Sequence, residues 1–135
     1  MKALVDTQCW LWWFLEPERL AARARRLMAD RRNVLYLSAA SAWEIAIKCA
    51  LGKLRLPDPP LEYVPGRLAA EGMASLPIEQ SHALHTGTLP GHHHDPFDRL
   101  LVAQAQLERL PIITADRQLV AYDVRVVWAG SRPPS

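Results

Sequence analysis

Short apolar runs along this chain alternate with longer stretches whose apolar positions recur every three or four residues, the two periods that separate strands from helices. The short runs are Lys2 to Val5, Val34 to Leu37, Ile112-Ile113 and Arg125 to Trp128. Helical patterns run to about Trp13, from Glu18 to Met28, from Ala39 to about Leu51, from Leu61 to Glu71, from Glu79 to His85 and from Pro96 to Leu110, with a short helix after Asp116. Strand followed by helix, repeated, predicts an α/β fold in which helices cover a parallel sheet. No internal repeat or linker interrupts the body, and only the end from Gly130 to Ser135, with Pro133 and Pro134, reads as disordered. The expected organisation is one domain over residues 1–130 and a flexible tail over 131–135.

Composition narrows the class. At 135 residues, 50% hydrophobic and 22% charged, the chain has the make-up of one ordinary globular domain. No apolar run is long enough to span a bilayer, and the start meets Asp6 where a signal peptide would stay apolar, so the chain is read as cytoplasmic with no membrane partner. Cys9 and Cys49 have neither metal-ligand nor redox spacing and are expected as small buried hydrophobes. The formal net charge is only +2, but six of the arginines fall between Arg19 and Arg32. Guanidinium groups suit phosphate or carboxylate partners, and a solvated helix face explains the same cluster.

The acids carry more information. Asp6 follows Ala3-Leu4-Val5 and Asp116 follows Ile112-Ile113-Thr114, so both should stand at the carboxyl ends of parallel strands, the edge where ligands gather. In Asp95-Pro96-Phe97-Asp98, Asp95 is a natural N-cap, Pro96 suits the first helical position and Asp98 falls in the first turn. Apolar positions Leu100, Leu101, Ala103, Ala105 and Leu107 should carry that helix into the core, and Pro111 stops it. Glu44 closes Ser41-Ala42-Trp43-Glu44, which matches a capping box, whereas a helix starting at Ser38 would put it in the interior. Helix capping accounts for single acids. It does not account for an acid at the end of almost every strand of a small fold. Converging carboxylates repel one another, and a divalent cation with a preference for oxygen resolves the conflict.

Four segments then resemble a known family: Val5-Asp6-Thr7; Ser38-Ala39-Ala40-Ser41-Ala42-Trp43-Glu44-Ile45-Ala46-Ile47-Lys48; His94-Asp95-Pro96-Phe97-Asp98-Arg99-Leu100-Leu101-Val102-Ala103-Gln104-Ala105; and Thr114-Ala115-Asp116. Together they look like a PIN domain, and within it the VapC-type toxins of bacterial and archaeal toxin–antitoxin pairs. The likeness runs from about Lys2 to Trp128, and its segment from His94 to Ala105 is the most specific. It implies a three-layer α/β/α sandwich and a metal-dependent endoribonuclease using one or two Mg²⁺ or Mn²⁺ ions. Asp6, Glu44, Asp98 and Asp116 would be the catalytic, metal-holding quartet, with Thr114 supporting it through its hydroxyl. Asp95 stands beside the quartet as a helix cap that could serve it from outside, and Arg99 could meet a carboxylate, a phosphate or only the fold. The resemblance further implies an RNA substrate, a product carrying a 5′-phosphate, a homodimer, and an antitoxin whose tail covers the helices near Trp10 to Arg32.

Two features stand apart. Three consecutive imidazoles at His92, His93 and His94 cannot all point at one zinc without strain, so a loop near the acidic edge is the expected role. A helix bearing Trp10, Trp12, Trp13 and Phe14 is apolar on more than one face and calls for a cover. Two competing functions are a receiver-like signalling domain, disfavoured because Lys2, Lys48 and Lys53 all lie early in the chain, and a non-catalytic PIN-like interaction module.

Overall fold

In the computed structural model, residues 1–132 are described; the remainder of the expected flexible tail, 133–135, lies outside them. Five strands, β1 (Lys2–Val5), β2 (Val34–Ser38), β3 (Ala74–Leu76), β4 (Ile112–Thr114) and β5 (Val126–Trp128), form one parallel sheet in the order β3-β2-β1-β4-β5. Among the described residues, seven α-helices connect and cover them: α1 (Thr7–Leu15), α2 (Ala22–Ala29), α3 (Ala39–Ala50), α4 (Pro60–Glu71), α5 (Gln80–His85), α6 (Pro96–Glu108) and α7 (Arg117–Val120).

Why the sheet is buried on both faces can be read from its side chains. Ala3, Val5, Leu35, Leu37, Ile113 and Val127 join one core cluster with residues of α1, α2 and α4, among them Trp10, Met28 and Tyr63. The alternate positions Leu4, Tyr36 and Ile112 join a second cluster with Leu101, Val102 and Ala105 of α6 and Leu119 of α7. Strands apolar at every position are what a parallel sheet between two helical layers needs. The α/β/α sandwich expected from the sequence is therefore present. The chain adds β2 and then β3 on one side of β1, and returns to the other side with β4 and β5. β1 and β4 thus flank the point where the winding reverses, which opens a crevice beyond their carboxyl ends.

Several local expectations change. The single helix from Glu18 to Met28 is a 3₁₀ turn at Pro17–Arg19 followed by α2, because Leu20 turns extended (φ −81, ψ 140) and buries its side chain. Strand β3 carries little signal: only Leu76 of its three residues is buried. Helix α6 ends at Glu108 with Arg109 in the left-handed conformation (φ 55), and it buries Leu101 through Ala105, including Gln104. Leu107, expected in the core, is 41% exposed. Gln104 is kept dry by partners, accepting from the Ser38 hydroxyl and donating to the Pro77 carbonyl at 3.1 Å. Ser38, not Ser41, caps α3, so Glu44 lies in the helix interior and the capping-box alternative falls. The aromatic helix α1 is covered partly from within, since Trp10, Phe14 and Tyr63 of α4 meet edge to face at 4.8 to 6.5 Å.

These placements separate two leucines of one helix. Leu101→Ala should cost about 2–5 kcal/mol in urea unfolding, the range for a truncated core leucine, whereas Leu107→Ala should stay within about 0.5 kcal/mol.

Candidate active site

Each acid reaches the crevice by a local rule. Asp6 follows β1 and caps α1, its Oδ1 accepting the Cys9 N–H at 2.8 Å. Asp116 follows β4 and caps α7, its Oδ1 accepting the Gln118 N–H at 2.9 Å. Asp95 caps α6 by accepting the Phe97 N–H at 2.8 Å, which leaves Asp98 in the first turn. Glu44 points in from α3. Asp6, Glu44, Asp95, Asp98 and Asp116 line one cavity of about 270 Å³ together with Lys48.

The electrostatics are those of crowded anions. Asp6 is only 5% exposed, and burial pushes its carboxyl above the usual range against the lowering effect of its hydrogen bonds. The Thr114 hydroxyl donates to Asp6 Oδ2 and accepts the Asp116 N–H at 3.0 Å, so one side chain joins the two strand-end acids. Asp98 is pushed up to about 7, chiefly by burial and then by the charge of Asp95, with His93 opposing. Glu44 Oε2 pairs with Lys48 Nζ at 2.8 Å, while its buried Oε1 has no hydrogen-bond partner. An orphaned buried carboxylate oxygen costs free energy unless something positive meets it. An all-carboxylate set with one such atom fits a hard divalent cation such as Mg²⁺ or Mn²⁺.

The structure adds Lys48, which sequence reasoning did not place here, picks one histidine out of the loop expected near the acidic edge, and gives Arg99 the structural role among its three alternatives. Lys48 lies one helical turn beyond Glu44, and that i, i+4 spacing was the available signal. Of the three consecutive histidines, His92 and His94 are exposed and only His93 enters the site. Its Nδ1 accepts the Asp95 N–H at 3.1 Å, which leaves the proton on Nε2; that nitrogen lies 2.9 Å from Asp116 Oδ2 and 3.1 Å from Asp98 Oδ2. The three ligand-type atoms fall within 4.8 Å of one another. Arg99 does something else. Its guanidinium donates to the carbonyls of Pro90 (2.8 Å), Thr86 (2.9 Å), His93 (3.2 Å) and Leu89 (3.2 Å), clamping the loop that presents His93. Among the described residues it pairs with no carboxylate.

A model of the PIN domain matches residues 3–125. The chain belongs to the PIN domain family. Ribonuclease VapC22 of Mycobacterium tuberculosis is 30% identical over 117 residues, covering 86% of this chain and 88% of that protein. Ribonuclease VapC16 of the same organism is 48% identical over 71 residues; that match spans about half the length of each protein. In fold, this PIN domain is similar to a chain in the crystal structure of VapBC2 from Rickettsia felis bound to a promoter DNA fragment, with a TM-score of 0.70, 13% identity, and 96% and 99% of the two chains covered.

The raised acids make the metal-free protein pH-sensitive in a defined sense. Asp98 keeps its proton up to about 7 when folded, whereas in the unfolded chain it loses it near 3.8, so folding retains a proton in between. Stability of the EDTA-treated protein should fall as pH rises from about 4 to 7, with a limiting slope of about 1.4 kcal/mol per pH unit for one proton. Denaturant titrations at pH 5 and 8 should show this fall, and Asp98→Asn should flatten it.

Proposed function

We propose that this chain is a divalent-metal-dependent endoribonuclease and the toxin of a toxin–antitoxin pair, acting in the cytoplasm. What carries the reading is the convergence of Asp6, Glu44, Asp98 and Asp116 on one cavity at the switch point, with Glu44 Oε1 left unpartnered. The likeness to two ribonucleases, VapC16 and VapC22, and to a chain of a VapBC complex supports it.

Asp6, Asp98 and Asp116 would hold one or two Mg²⁺ or Mn²⁺ ions, directly or through water. Bound there, the metal supplies positive charge for the developing phosphoryl and leaving-group oxygens and lowers the pKa of the attacking water. Thr114 fixes the orientation of Asp6 through its hydroxyl, and the N-cap bonds fix Asp6 and Asp116 from the other side. Glu44 Oε1, left without a hydrogen-bond partner, would meet a second ion or position the attacking water, and Lys48 pairs with Glu44 Oε2. With water as the nucleophile, no ribose 2′-hydroxyl takes part, and the product carries a 5′-phosphate. His93 orients Asp98 and Asp116 toward each other and Asp95 positions the His93 ring. The partners of this reading are an RNA substrate, a second copy of the chain, and a cognate antitoxin that keeps the enzyme silent. No helix among the described residues is long and apolar enough to cross a membrane.

The purified protein should cleave labelled RNA with Mn²⁺ or Mg²⁺ and stop with EDTA. Asp98→Asn and Glu44→Gln should each lower kcat by roughly 10² or more, the scale of lost acid–base or electrostatic groups, while circular dichroism stays native. Equal activity in Asp98→Asn and wild type would point to a contaminant or to a non-catalytic binding module, and would overturn the reading.

A further inference from the structure

One formal cation already stands among the acids. Lys48 is the only lysine or arginine lining the acidic cavity among the described residues. Its ammonium pairs with Glu44 Oε2 at 2.8 Å and, among the described residues, with no other carboxylate. The hydrogen bond to Glu44 raises its pKa above the ordinary lysine value against the opposing effect of burial, and the charges of Glu44, Asp95 and Asp98 add to the rise. Lys48 therefore faces acids at the start of α6 as well as the one on its own helix. An ammonium carries three N–H donors, and the pair with Glu44 uses one. Its side chain is 45% exposed, so the remaining donors lie open to a bound molecule. The other acids are served differently. Asp6 receives the Thr114 hydroxyl and the Cys9 N–H, Asp116 receives the Gln118 N–H, and the His93 N–H lies between Asp98 and Asp116. All of these donors are neutral, because His93 Nδ1 accepts the Asp95 N–H and leaves the ring a single proton.

We propose that the site takes one divalent ion, on the side of Asp6, Asp98 and Asp116, and that Lys48 fills the place of a second cation beside Glu44 and contacts the scissile phosphate. This role for Lys48 rests on the nuclease reading and deepens it, by fixing the number of ions and adding a catalytic residue. Three carboxylates supplied only with neutral donors still lack a formal positive charge, whereas Glu44 has one. A second divalent ion at Glu44 would share its carboxylate with an ammonium, and two cations on one carboxylate repel strongly in a site partly shielded from water. With Lys48 in place, Glu44 Oε1 is left to orient the attacking water. The spare N–H groups of Lys48 donate to a non-bridging phosphate oxygen, where negative charge grows as water attacks. A lysine suits that task, since it meets phosphate as a compact point charge. An ion pair between residues four apart is common on helix surfaces and by itself implies nothing more. Here the acid of the pair is only 7% exposed and its second oxygen has no hydrogen-bond partner, so the ammonium is matched to a cavity rather than to solvent.

The test compares the full chain with its Lys48→Met and Lys48→Arg variants. Bound Mn²⁺ is counted by electron paramagnetic resonance of the free ion, and kcat and KM are measured on a labelled RNA. The wild type should bind one Mn²⁺ per chain. Lys48→Met keeps the stem and removes the charge; it should bind a second Mn²⁺ and lower kcat by roughly 10². Its KM should stay nearly unchanged, the split expected of a contact made chiefly in the transition state. Lys48→Arg should keep the count at one and recover most of the lost kcat. A lysine that served only the helix would move neither the count nor kcat. Two ions of similar affinity on the wild type, an unchanged count in Lys48→Met, or wild-type kcat in Lys48→Met would overturn the proposal. Lys48→Gln gives the same comparison should the Met variant unfold. The nuclease reading is scored separately. A wild type that cuts no RNA with Mn²⁺ sinks that reading, and the ion counts still decide whether Lys48 fills the place beside Glu44. A wild type that cuts RNA, beside a Lys48→Met variant that cuts it equally fast, leaves the nuclease standing and removes only the role of Lys48.

Discussion

The repulsion among carboxylates held in one small cavity is the constraint around which this fold is arranged. Five acids from four separate stretches of chain meet there, and none is brought in by a special loop. The parallel sheet aims Asp6 and Asp116 outward from neighbouring strands, and helix starts aim Asp95 and Asp98 at the same place. The counterweights are local and partial: the Thr114 hydroxyl, the Lys48 ammonium, the His93 N–H and the backbone N–H groups at helix starts. They leave Asp98 holding a proton to near neutrality and Glu44 Oε1 without a partner. A protein interior tolerates such a deficit when a ligand of opposite charge completes it.

The two layers of helices differ in what they contribute. On one face, α1 and α3 supply both core and chemistry, since Trp10 and Ile45 are packed under the same helices that offer Asp6 and Glu44. On the other, α6 carries Asp98 at its first turn and a fully buried stretch behind it. Site and core are therefore anchored in the same elements, and the acids are held with the rigidity of the packing beneath them.

Much of this could be read from the sequence. Strand β1 is an apolar run followed at once by Asp6, β2 and β4 are apolar runs ending in Ser38 and Thr114, and caps such as Asp95-Pro96 mark helix starts to the residue, so the acidic edge follows from elementary rules. What could not be read has physical causes. Strand β3 is three residues long at the sheet's edge and buries one side chain, too little to leave a periodic trace. Leu107 follows the helical period yet faces water, while buried Gln104 takes an inward position through two hydrogen bonds. Nothing in three identical imidazoles says which one turns inward; that choice is made by the Asp95 N–H, the Tyr122 hydroxyl and the Arg99 clamp, all tertiary contacts.

Asp6, Asp95 and Asp116 each hold a helix start as well as facing the cavity, and Asp98 and Glu44 do not. The double duty alters how such a protein would decay if selection for its chemistry were lifted. The capping acids would persist in a lineage that had gone silent, because each still stabilises the fold by about 1 kcal/mol. Glu44, which leaves a buried oxygen unsatisfied and serves no cap, would be among the first to drift. Under the proposed function, the glutamate inside α3 would be a sharper marker of a living enzyme among descendants of this fold than the aspartates at the strand ends.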